Sequence, residues 1–408
     1  MPQVHQVLAS LGYGDAIGNQ VLGIQRVLQS AGYDSRIYAD TADARLEHLT
    51  TSYRALVDDI APEDLLIHHF SIGSRASRTA FAVPSRMALV YHNITPPEYF
   101  LGVHPWLVRQ CFHGRRELGA YTSRVDIALG DSEFNRQELE AIGFPRTGVL
   151  PVVPGFGHLD VAPDPRIAAA FDDGMLNVLF VGRLIPNKRP DLLIRVLHAY
   201  HQVFGRNARL LLAGSYAQFE TYLAQLHTLV ASLGVSGVHI LGQVSNEELT
   251  ALYDVADVFL CASEHEGFCV PLIEAFYKRV PVAAYAAAAV PATMNGGGVL
   301  YRTQDPVEIA GLVQAITSDP AREDAILAAQ DAALTRLLSR DFRSSVLGMV
   351  DRVFALPAAP SPEVDPDFWR QFRLAEELDE IRETRPSAFQ ELPPERPAER
   401  TADVGHRA

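Results

Sequence analysis

The segment Ser263-Glu264-His265-Glu266-Gly267-Phe268-Cys269-Val270-Pro271-Leu272-Ile273-Glu274 sets two carboxylates around a Gly-Phe turn and a proline suited to the first turn of a helix. A strand-forming run, Val258–Cys261, precedes it. Such a loop aims free N–H groups into the crevice at the carboxyl end of a parallel sheet. A carboxylate accepts two hydroxyl hydrogen bonds, so Glu266 and Glu274 suit a sugar or ribose diol. The plainer alternative is a capped helix with two solvated acids. A second segment, Val181-Gly182-Arg183-Leu184-Ile185-Pro186-Asn187-Lys188-Arg189-Pro190-Asp191, again joins a strand to a helix. Arg183 and Lys188 flank its turn and could reach one diphosphate, Arg as a planar fork and Lys as a movable point charge. Basic residues in loops are usually just solvated; the pairing with the acidic loop is what makes the signal specific. A third segment, Gly12-Tyr13-Gly14-Asp15-Ala16-Ile17-Gly18, is a glycine turn able to cradle phosphate at a helix N-terminus. It lacks the G-x-G-x-x-G spacing and a Walker lysine, which counts against NAD and ATP.

Other signals have bland readings. The fourteen histidines contain no H-E-x-x-H, and His68-His69 at a strand end read as packing or hydrogen-bonding residues. Asp365-Pro366-Asp367 is the sole Asp-x-Asp triplet and lies in the tail, so no metal is expected, and Cys269 reads as a small packing group. The stretch Val103–Arg124 interleaves Trp106, Leu107, Cys111 and Phe112 with Arg109, Arg115, Arg116 and Arg124. Such a helix could lie on an anionic membrane, line an acceptor cleft, or be half-buried in the ordinary way.

The elements that must position these residues alternate between short β-rich runs and longer amphipathic stretches, the pattern of βαβ units. Expected strands in the first half are 4–8, 35–39, 64–69, 86–92, 126–130 and 147–151, with helices over 17–30, 104–121 and 132–142. A Pro- and Gly-punctuated stretch, 151–165, reads as a linker. Alternation resumes with strands at 177–181, 209–213, 238–241, 258–261 and 281–285 and helices at 189–204, 216–233, 247–253 and 271–277, then 306–318 and 321–338. From Pro357 prolines mix with charges, the composition of disorder, apart from an island over 368–383 that could form an amphipathic helix through Phe368, Phe372, Ala375, Leu378 and Ile381.

The chain has 408 residues, 35 basic against 49 acidic, a net charge of −14 that argues against a nucleic-acid partner. Three scattered cysteines speak for a reducing compartment. No apolar run is long enough to span a membrane, and Met1–Ser10 lacks a basic start. The expected location is cytoplasmic, with peripheral contact at the inner face of the cell membrane as a further option.

Gly182-Arg183 with Lys188, and Glu266-Gly267-Phe268 with Pro271 and Glu274-Ala275, resemble the retaining GT-B glycosyltransferases of family 4. The resemblance runs from about residue 4 to 356 and is most specific between 177 and 300. Gly12–Gly18, Tyr91-His92-Asn93, Asp131-Ser132-Glu133-Phe134 and Gly242-Gln243-Val244 also fall where that family has motifs. It implies an α/β GT-B fold, two doubly wound Rossmann-like domains facing a central cleft. An acceptor-side domain is expected over 1–155, a nucleotide-sugar domain over 156–340, a closing helix over 341–356 near the N-terminal domain, and a Pro-rich charged tail over 357–408.

Carried over residue by residue, the resemblance implies a catalytic set of Arg183, Lys188, Glu266 and His92. Arg183 and Lys188 would hold the donor diphosphate, and Glu266, with the N–H groups of Gly267 and Phe268, the transferred sugar. His92 would face that sugar from the other domain. Glu274 would bind the ribose, Gly14 would approach the phosphate, and the backbone near Gln243 and Val244 would meet the base. Asp15, Gly182, Cys269 and Val270 complete the donor side, while Trp106, Arg109 and Arg116 stand on the acceptor or membrane side. Departures are Cys269 for a frequent glycine, Arg279 for another, and Pro151-Val152-Val153-Pro154-Gly155 for the usual Pro-Asn-Gly. The stretches 13–19, 91–97 and 289–298 resemble bacterial polysaccharide or O-antigen mannosyltransferase-type members. The implied activity is retaining, metal-independent transfer of a hexose, mannose favoured, from a GDP- or UDP-linked donor to a glycan or lipid-linked hydroxyl. No cofactor is implied. The alternatives are a nucleotide-sugar 2-epimerase and a silent nucleotide-sugar-binding subunit; oligomeric state is not readable.

Overall fold

A computed structural model describes residues 2–152 and 155–357 and, beyond them, 363, 365–370, 372, 373, 382, 383 and 386. Seven strands form the first sheet: β1 (Val4–Leu11), β2 (Ile37–Ala42), β3 (Thr50–Ser52), β4 (Leu65–Phe70), β5 (Arg86–Tyr91), β6 (Ile127–Gly130) and β7 (Thr147–Val149). Six form the second: β8 (Leu176–Val181), β9 (Ala208–Ala213), β10 (Val238–Gly242), β11 (Val258–Cys261), β12 (Val282–Tyr285) and β13 (Val299–Tyr301). All pairings are parallel, in the orders β3-β2-β1-β4-β5-β6-β7 and β10-β9-β8-β11-β12-β13. Each sheet starts in its middle and reverses direction once, between β1 and β4 and between β8 and β11. In such doubly wound sheets ligands bind beyond the carboxyl ends of the strands at that reversal. The chain therefore has the GT-B architecture of two Rossmann-like domains.

Helices cover both faces, so the central strands are buried on both sides and do not alternate, even where they carry His68, His69 or Arg209. Every residue of β4 and of β9 is buried. The helix Ala16–Ser30 turns Val21, Ile24 and Leu28 inward, at the 3.6-residue period of an amphipathic helix. The two domains share apolar contact: Phe219 lies 5.9 Å from Phe100 and 5.0 Å from His104, ring to ring. The helix Phe342–Ala355 returns to the first domain, burying Val346, Met349, Val350 and Val353 against Ile24, Leu28, Ala88 and Val90. Arg86 fastens its end by donating to the carbonyls of Val353 and Leu356, at 2.7 and 2.9 Å.

Several elements differ from the sequence expectation. Thr50–Ser52 and Val299–Tyr301 are strands of three residues, too short to show a period. Pro165–Phe171 is a helix, capped by Asp164 and started by Pro165, just past the stretch 151–165 that reads as linker, where no element was expected. Part of the tail is ordered, at the start of the island over 368–383. In the short helix Pro366–Arg370 and the turn after it, Trp369 and Phe372 are buried, with the Trp369 ring tilted 4.3 Å from Phe81 and Phe372 5.9 Å from His113. Two aromatics bury enough area to order a short stretch that prolines and charges would otherwise keep open. Trp369, not among the island's expected apolar positions, makes the main contact; the side chain of Phe368 and residues 374–381 lie outside the described residues.

Candidate active site

At the reversal point of the second sheet, Gly182 follows the end of β8, and Gly214 follows the end of the neighbouring β9. The two turns touch: a Cβ on Gly214 would stand 1.9 Å from the carbonyl oxygen of Gly182, so that position admits only glycine. Arg183 follows, its guanidinium 5.5 Å over the ring of Phe219. Burial disfavours its charge, and no carboxylate among the described residues pairs with it. Arg183 is itself exposed at the carboxyl-end rim of the sheet.

Lys188 closes the short 3-10 turn Pro186–Lys188, and Pro190 opens the next helix. Its ammonium ion-pairs with Glu266. Burial is the largest single effect and pulls the Lys188 pKa down, but the charge and hydrogen bond of Glu266, with the neighbouring Cys269 and Cys261, together leave it above the ordinary lysine value. Two residues expected to serve diphosphate and sugar separately are thus each other's counter-ion. The loops that carry them are also tied by backbone: the Asn187 side chain donates to the His265 carbonyl at 3.0 Å, and the Glu264 N–H to the Asn187 carbonyl at 2.9 Å. Neighbouring Arg189 pairs with Asp191 and Glu264.

After β11 the loop runs through Glu266, Gly267 and Phe268 to Cys269, which adopts a left-handed φ of 74° before the helix Val270–Tyr277. That conformation suits glycine, and a non-glycine there is uncommon. Cys269 is not isolated, contrary to the sequence expectation: its sulfur, that of Cys261 and a carboxylate oxygen of Glu266 lie within 4.8 Å of one another. The fold joins the end of a strand to the start of the next helix, a proximity no local pattern encodes. Glu274 lies one turn into the helix and is buried. It accepts from the Tyr253 hydroxyl at 2.9 Å and pairs with His158 Nε2 at 2.9 Å. The hydrogen bond from Glu274 raises the His158 pKa. Gln243 and Val244 follow β10 on the same carboxyl-end rim, Gln243 exposed and Val244 half-buried.

The first domain faces this loop. A Cβ on Gly267 would meet Asn93 Cβ at 2.9 Å and the His92 carbonyl oxygen at 3.0 Å, so glycine permits the approach. Asn93 and His265 hydrogen-bond across the seam. It is the His92 backbone that stands here; its ring points into the first domain. Gln6 donates from Nε2 to the Val21 carbonyl, so its oxygen accepts from His69 Nε2 at 3.0 Å. His69 Nδ1 then accepts from His92 Nε2 at 2.9 Å, and one proton lies between His92 Nδ1 and Asp131, 2.8 Å apart. Both nitrogens of His92 are engaged. This limits it to a positioning role unless the chain of bonds opens.

Asp15 caps the helix Ala16–Ser30, accepting from the Gly18 N–H at 2.6 Å, and a Cβ on Gly18 would stand 2.1 Å from the Gly12 carbonyl oxygen. Gly14, with φ 75° and open space around it, is exposed at the tip. Trp106, Arg109 and Arg116 share the exposed face of the helix Pro105–Ala120, beside a groove of about 360 Å³ lined by Pro97, Leu101, Val108, Arg109, Phe112 and His113. No helix among the described residues is long and apolar enough to cross a membrane. His69 has the hydrogen-bonding role read for it, and the residues that local reading missed are His158, Tyr253, Asn187 and Cys261. All act through long-range contacts, and only Asn187 lay inside a segment singled out by its motif.

Residues 166–331 match the family model "Glycosyl transferases group 1". Relatives named D-inositol 3-phosphate glycosyltransferase include that of Kineococcus radiotolerans, 29% identical over half of this chain and 51% of its own length. That of Corynebacterium diphtheriae is 31% identical over 38% of this chain and 37% of its own. The chain thus spans about half, or less, of the length of these relatives. Among solved structures, a sucrose-phosphate synthase from Thermosynechococcus elongatus superposes with a TM-score of 0.67 at 17% identity, covering 92% of this chain and all of that one. Anabaena Alr3699/HepE, solved with UDP and glucose, gives 0.67 at 17% identity over 87% of this chain and all of that one. Residues 166–331 are thus similar to glycosyl transferases group 1, and the chain has the GT-B fold.

Proposed function

We propose that the chain is a retaining hexosyltransferase that takes a sugar from a uridine or guanosine diphosphate carrier to a hydroxyl of a glycan or lipid-linked acceptor. The observation that carries this reading is Arg183, a cation that no carboxylate among the described residues partners, at the reversal point of the second sheet beside the Lys188–Glu266 pair. A donor diphosphate supplies the missing anion. It also competes with Glu266 for Lys188, which frees that carboxylate to accept from sugar hydroxyls. Glu274, already held by Tyr253 and His158, takes the ribose diol, and the rim at Gln243 and Val244 takes the base.

No carboxylate is assigned as a nucleophile, so retention follows from front-face displacement. The acceptor hydroxyl attacks from the side of the leaving diphosphate and passes its proton to it as the glycosidic bond loosens. Fixed cations favour that step because negative charge on the diphosphate is greater in the transition state than in the ground state. Closure of the two domains would exclude water and with it hydrolysis. Mannose is favoured by the resemblance of 13–19, 91–97 and 289–298 to mannosyltransferase-type members; the relatives' names add a phosphorylated polyol to the acceptors worth testing. The exposed Trp106, Arg109 and Arg116 suit contact with an anionic membrane bearing a lipid-linked acceptor. The test is transfer from UDP- and GDP-hexoses to glycan, lipid-linked and polyol phosphate acceptors, with the product's anomeric configuration read by NMR. An inverted product rejects front-face retention. Epimerised donor without acceptor-dependent transfer would favour the epimerase alternative.

A further inference from the structure

We propose that Cys261 and Cys269 are a thiol pair that a peroxide closes to a disulfide, and that the closed form no longer binds nucleoside diphosphate. Cys261 ends β11 and is buried; Cys269 ends the following loop, is partly exposed, and holds the left-handed φ of 74° before the helix Val270–Tyr277. Their sulfurs and a Glu266 oxygen lie within 4.8 Å of one another. The Cys269 S–H beside it lowers the Cys261 pKa, so Cys261 is the group that gives up its proton first. A metal ion is the rival occupant of two thiols and a carboxylate. Here the Lys188 ammonium already neutralises Glu266, so a cation would have to displace it. Joining two thiols displaces nothing.

The chemistry balances with a peroxide as oxidant. The Cys261 thiolate takes one oxygen from hydrogen peroxide and becomes a sulfenic acid, and the hydroxide released takes up the proton Cys261 had lost, giving water. The Cys269 sulfur then attacks the Cys261 sulfur, the S–S bond forms, and the expelled hydroxide takes up the Cys269 proton as the second water. In sum, two S–H groups and one HOOH give one S–S bond and two waters. The bond requires the sulfurs to close to about 2.05 Å. That draws Cys269 toward β11, and with it the Gly267–Phe268 N–H groups and Glu266. The effect on nucleotide binding rests on the function proposed above; formation of the bond does not.

The full-length reduced chain is treated with hydrogen peroxide in the presence of EDTA. Thiols counted after denaturation should fall from the three of the sequence to one. Cleavage after Glu264 or Glu266 separates the two cysteines, so a disulfide holds the two fragments together until dithiothreitol is added. The rise in melting temperature caused by UDP or GDP should vanish on oxidation and return with dithiothreitol. Cys261→Ala and Cys261→Ser should keep that rise both before and after peroxide. A sulfinic acid on Cys269 with no link, a link to Cys111, or equal loss in the Cys261 variants would overturn the thiol pair. A disulfide that leaves the nucleotide response intact would overturn its consequence. A disulfide in a chain whose reduced form never responds to nucleotide would keep the pair and refute the binding half together with the proposed function.

Discussion

Arg183→Ala is expected to slow sugar transfer strongly while leaving the fold as it is. The side chain is exposed and lies 5.5 Å over the buried Phe219 ring, and no carboxylate among the described residues pairs with it. Loss of an exposed cation–π contact costs about 0.5–1 kcal/mol. Lys188→Ala is a different experiment, because it strands Glu266, which is 7% exposed. Removing one partner of a buried pair costs about 3–5 kcal/mol. In the transition state the order changes, since both cations then face the departing diphosphate. A hydrogen bond to a charged group contributes about 1.5–3 kcal/mol, which at 1.36 kcal/mol per tenfold is roughly 10- to 150-fold in rate. Initial rates at saturating donor and acceptor, beside thermal melts, separate the two effects. Arg183→Ala should lower kcat more than it raises donor KM, with a melting temperature near wild type; Lys188→Ala should lose both rate and stability. Wild-type kcat in Arg183→Ala, with transfer chemistry rate-limiting, would refute the reasoning. So would a fall in stability as large as that of Lys188→Ala.

Glu274→Ala should raise donor KM with little change in kcat, because a ribose contact is equal in ground and transition states; a selective loss of kcat would place Glu274 at the reacting sugar instead. The Glu274 hydrogen bond raises His158 above its ordinary 6.5, so the stability that His158 adds is complete below pH 6.5 and fades as pH rises through the raised value. Melting temperatures of wild type and His158→Ala should therefore converge at alkaline pH, and a gap independent of pH would remove the charge from the argument. Trp369 packs against Phe81, and the arginines beside it, Arg370 and Arg373, are trypsin sites. Trp369→Ala should speed cleavage at both without unfolding the two domains, whereas unchanged cleavage would show that the ring does not hold the segment.

What sequence could reveal was set by locality. The turns at Gly12–Gly18, Gly182–Lys188 and Glu266–Glu274 were legible because glycine, proline and charge crowd into a few residues where a strand meets a helix. The longer strands and helices were legible from their periods, while Thr50–Ser52 and Val299–Tyr301 are too short to have one. Partnerships were not legible. Lys188 meets Glu266, His158 meets Glu274, and Cys269 meets Cys261 only after two sheets have wound and a linker has folded back. The ring of His92 is turned by His69 on the neighbouring strand and Gln6 on the strand beyond it in the sheet, so a motif could mark its position but not its direction. Trp369 was hidden by its company, prolines and charges whose average conceals one large apolar side chain.

The account's central claim is a nucleoside diphosphate site at the reversal point of the second sheet. Thermal unfolding of the full chain with UDP, GDP, NAD and ATP tests it most directly. A ligand at about 100 times its Kd stabilises the folded state by about 2.7 kcal/mol. UDP or GDP should raise the melting temperature of wild type, and Arg183→Ala should respond less at the same concentration, while NAD and ATP should leave both unchanged. A response to NAD alone, or a UDP and GDP response that Arg183→Ala retains in full, would contradict the claim.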